Sequence, residues 1–73
     1  MITNKDTATQ ISALMLELGA KLDASVALVR DTCEEQEFNR YRRVVGELMG
    51  TMLLEVMNPL YQAYPELKPV GLR

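Results

Sequence analysis

Asp31, Glu34, Glu35 and Glu37 fall within seven residues, and Arg40, Arg42 and Arg43 follow directly after them. Clustered carboxylates can hold a hard cation, but calcium loops require a glycine at the sharp turn and a fixed oxygen spacing, both missing here. Helical di-metal sites use Glu-x-x-His pairs, and the chain has no histidine. The same absence removes the commonest zinc ligand, the commonest general base and any Cys–His nucleophilic pair. The acids therefore read as a solvated tip beside a helix N-terminus, where the positive end of the dipole favours them. No metal and no cofactor is expected, and the chain reads as non-catalytic.

Three arginines around Tyr41 are the residue types that bind phosphates. Arg40 and Arg43 project outward from a helix through this region, and Arg42 lies nearer its apolar side. A small nucleic-acid-binding regulatory bundle using Arg40, Arg42 and Arg43 is the alternative reading. Against it stand the adjacent acids, the expected Glu37–Arg40 pair at i,i+3, and a net charge of −2 from 8 basic and 10 acidic side chains. Cys33 is the single cysteine, so no disulfide can form within one chain. Its position at the end of an apolar stripe predicts a buried, inert thiol; a contact between chains would instead require exposure.

The most apolar run, Val44–Leu60 (VVGELMGTMLLEVMNPL), supplies the element around which the others are arranged. At 100° per residue Tyr41, Val45, Leu48, Met49, Met52 and Val56 share a face, and Phe38 continues it backwards. Gly46, Gly50, Leu53 and Met57 form a second row beside the first, and Leu54 widens it. An ordinary surface helix has one apolar stripe and a polar back. Two seams call for two covering surfaces. The Gly46-x-x-x-Gly50 spacing suits close helix approach, and two helix-interior glycines cost roughly 1 kcal/mol each against alanine. Glu47, Glu55 and Pro59 interrupt the run, which argues against a membrane span.

Upstream, Ile11, Leu14, Met15, Leu18, Leu22, Val26, Val29 and Cys33 make one stripe with Ser25 as its only polar member. This predicts a first helix over residues 7–32, about 39 Å long, capped by Asp6, Thr7 or Thr9. Ala13, Ala20, Ala24 and Ala27 line its opposite side and serve helix propensity. Residues 31–37 contain neither glycine nor proline, yet on one continuous rod the two stripes would face opposite ways. A hairpin turn lets them meet, and Thr32 with Glu35 reads as a capping box. A second helix follows over 35–57, punctuated by Asn58-Pro59, then a short helix over 59–64 that Pro65 ends. Residues 1–5 and 68–73 are expected to fray, with Tyr61, Tyr64 and Leu67 folding back over the bundle end.

At 73 residues the chain is one small domain, spanning 1–73, with a modest core. The polar opening MITNKDTATQ lacks the apolar region of a signal peptide, so a cytoplasmic setting is expected. The fold expected is all-α: an antiparallel two-helix hairpin with a short C-terminal helical turn, dimerising into a four-helix bundle. Its second seam, Gly46, Gly50, Leu53 and Met57, is the expected oligomer or partner interface. The function read from this is a self-associating adaptor or regulatory module acting through protein–protein contacts.

Overall fold

A computed structural model describes residues 2–69. Among these every secondary-structure element is helical, and two long arms pack against one another. The first, α1 (Lys5–Thr32), starts two residues earlier than expected because Asn4, not Asp6 or Thr7, caps it. The Asn4 Oδ1 accepts the Thr7 N–H at 3.0 Å, and its backbone is extended as an N-cap requires.

The chain reverses at Cys33-Glu34, both with extended backbone: φ −121°, ψ 168° at Cys33 and φ −68°, ψ 157° at Glu34. Neither residue needs a positive φ, so the reversal needs no glycine. The Thr32–Glu35 capping box does not form. Thr32 is still within α1 and its hydroxyl donates to the Leu28 carbonyl at 2.7 Å, one turn back. Glu34 is the N-cap of the next helix, α2 (Glu35–Thr51), without a side-chain cap bond. Glu35 and Glu37 stand in its first turn, where the helix dipole favours negative charge.

Asn58-Pro59 does not end the second arm. The helix widens to a π-helical segment over Met52–Met57 and continues as α3 (Asn58–Ala63). Proline lacks an N–H, and its ring crowds the carbonyl four residues back in a regular α-helix. In the widened turn the Asn58 N–H reaches the Leu53 carbonyl, five residues back. The extra residue resets the wheel by about 100°, the step of one residue in an α-helix. That rotation brings Met57, Leu60 and Tyr61 round to α1. A 3-10 turn, Pro65–Leu67, closes the described chain.

The core sits at this open end of the hairpin. Ala8, Met57, Leu60 and Tyr61 are buried together, with Ile2, Ile11, Met15, Leu53, Tyr64 and Leu67 packed around them. Residues near both ends of the described stretch join it. The Tyr64 hydroxyl donates to the Ile2 carbonyl at 3.1 Å, and Lys5 and Glu66 form an exposed ion pair at 3.9 Å. Ile2 is thus held, contrary to the expected fraying of residues 1–5; Met1 and residues 70–73, also expected to be loose, lie outside the described residues.

Two serine–tyrosine pairs tie the arms. At the core end the Ser12 and Tyr61 hydroxyls meet at 2.6 Å, both buried. Nearer the tip, Ser25 Oγ donates to the Leu22 carbonyl at 2.6 Å. Its one proton spent there, it accepts from the Tyr41 hydroxyl at 2.8 Å. Between the pairs, Met49 Cε stands 3.8 Å from where a Cβ on Gly19 would lie. These contacts set an antiparallel register of 12 with 61, 19 with 49 and 25 with 41.

Candidate functional site

Among the described residues six side chains are buried: Ala8, Ser12, Val45, Met57, Leu60 and Tyr61. Several residues expected to fill the inter-helix seam stay open: Leu14 is 46% exposed, Leu18 39% and Leu48 51%. Leu16, Leu28, Val44 and Leu54 are likewise exposed. Two helices share one contact line, and residues more than a turn's width from that line have nothing above them.

An apolar groove of about 340 Å³ runs along one side of the hairpin. Met15, Leu16, Gly19 and Ala20 of α1 form one wall. Met49, Gly50, Met52, Leu53 and Met57 of the second arm form the other. Three of the four residues expected to make a second seam, Gly50, Leu53 and Met57, therefore meet in one place. Gly46 lies outside the lining and is exposed. Met57 differs from the expectation: only 7% exposed, it belongs to the chain's own core, because the π-helical segment turns it toward Ala8. Sequence periodicity placed it on an outer row by assuming an unbroken 100° step.

The glycines divide by what surrounds them. A Cβ on Gly19 would touch Met49, an ordinary contact inside the chain. A Cβ on Gly46 or Gly50 would meet nothing within 4 Å. Packing within the chain thus gives no reason for either residue to lack a side chain, although each weakens the helix by roughly 1 kcal/mol.

At the charged tip Arg42 lies toward the apolar side and Arg43 outward, as expected, but the expected Glu37–Arg40 ion pair is absent. Arg42 rests its guanidinium 5.4 Å from the Phe38 ring centre, a cation–π contact. Arg40 and Glu37 line a second depression of about 360 Å³ with Val29, Cys33, Tyr41 and Val44, but no ion pair joins them. Arg43 is exposed. Besides Lys5–Glu66, ion pairs form between Lys21 and Glu17 at 3.0 Å and between Arg30 and Asp31 at 3.0 Å, both at the surface. Among the described residues, no three acids, cysteines or histidines gather where they could share a metal ion. Cys33 is exposed and free rather than buried, because it lies past the last turn of α1, where the backbone has left the helix.

No helix among the described residues is long and apolar enough to cross a membrane. Ser12 escaped sequence reasoning, since a lone serine one turn after Ala8 gives no sign that a tyrosine 49 positions away will reach it. Compared with known protein families, with curated proteins and with solved structures, the chain matches none.

Proposed function

We propose that this chain is a non-catalytic helical module that works by self-association, hairpins joining through the apolar groove into a helical bundle. The observation that carries the reading is surface the fold leaves uncovered. The chain exposes 5477 Å², against about 4,500 Å² for a compact monomer of 8.2 kDa. Its radius of gyration is 14.4 Å, against about 11 Å for a globule of this length. A single layer of two helices has one interface, and among the described residues seven large apolar side chains remain between 39% and 64% exposed. Patches of that kind mark interaction surfaces. Gly50 would let a neighbouring helix come close to the second arm, and the methionines on both walls can adapt to the side chains that enter.

Light scattering after size exclusion, over micromolar concentrations, tests the proposal. A mass of at least twice 8.2 kDa is expected. A monomer at every concentration refutes self-association and leaves the groove to a different partner. The competing nucleic-acid reading, through Arg40, Arg42 and Arg43, predicts binding to mixed RNA or DNA at low salt that weakens steeply as salt rises.

A further inference from the structure

We draw no further inference here: the strongest candidate, the depression at the hairpin tip where Cys33 and Arg40 meet Val29, Tyr41 and Val44, rests on a lone exposed cysteine beside an unpartnered apolar face, and nothing in the structure shows what covers it.

Discussion

The buried Ser12–Tyr61 pair joins helices 49 positions apart, and its worth can be isolated. The hydroxyls meet at 2.6 Å, with Ser12 5% exposed and Tyr61 6%. Ser12→Ala leaves the Tyr61 hydroxyl without its partner, at a cost of about 1–3 kcal/mol for a buried polar group left unsatisfied. Alanine's better helix propensity returns about half a kcal/mol of that. Tyr61→Phe costs less, nearer 1 kcal/mol, because a freed Ser12 hydroxyl can turn to the carbonyl four residues back. Thr9, Thr32 and Thr51 already do this in the chain. Removing both hydroxyls leaves two apolar groups in contact and nothing orphaned, so the double variant loses less than the sum. The expected coupling is about 1–2 kcal/mol, and the propensity change cancels from the cycle because it enters both alanine arms. Urea unfolding followed by circular dichroism measures it, at one fixed chain concentration since association adds stability by mass action. In a chain of this size 1 kcal/mol shifts Tm by about 4–8 °C. The half-buried Ser25–Tyr41 pair, carried through the same cycle, should couple more weakly because solvent can replace the lost partner. Coupling within about 0.3 kcal/mol of zero at Ser12–Tyr61 would refute the claim that this bond ties the open end of the hairpin.

Other perturbations probe the remaining features. Met57→Ala should cost about 2–5 kcal/mol by opening a cavity among Ala8, Leu60 and Tyr61, whereas Leu54→Ala, at 64% exposure, should stay within about 0.5 kcal/mol in the monomer. Equal losses at the two positions would show that the π-helical segment does not turn Met57 inward. Gly46→Ala, whose new Cβ meets nothing in the chain, should stabilise the folded monomer by up to about 1 kcal/mol, read as a higher urea midpoint. A loss at that site would place an unseen contact over it. Cys33 should react with a maleimide in the native chain at the rate it shows in urea, and Cys33→Ser should change the urea midpoint by less than about 0.5 kcal/mol in stability. Protection of the native thiol would mean that an assembled neighbour covers the hairpin tip.

The hairpin was legible because its two stripes are out of phase on a single rod, which periodicity alone reveals. The turn falls at Cys33-Glu34, inside the acidic stretch, though no glycine or proline marks it, since both residues reverse the chain with ordinary extended backbone. What the sequence hid follows from one residue type. Pro59 looks like a terminator, but the helix passes it by widening one turn, and that turn moves everything after it by about 100°. Met57 thereby leaves the outer row for the core, and Leu60 and Tyr61 come to face Ala8 and Ser12. The exposed face of Leu14, Leu18 and Leu48 was equally hidden, since one stripe on a wheel does not say how wide a partner helix is. Where that partner is a single helix, only the middle of the stripe is covered. The flanks left over, the groove on one side and the leucines on the other, are the surfaces a second layer of helices would have to bury.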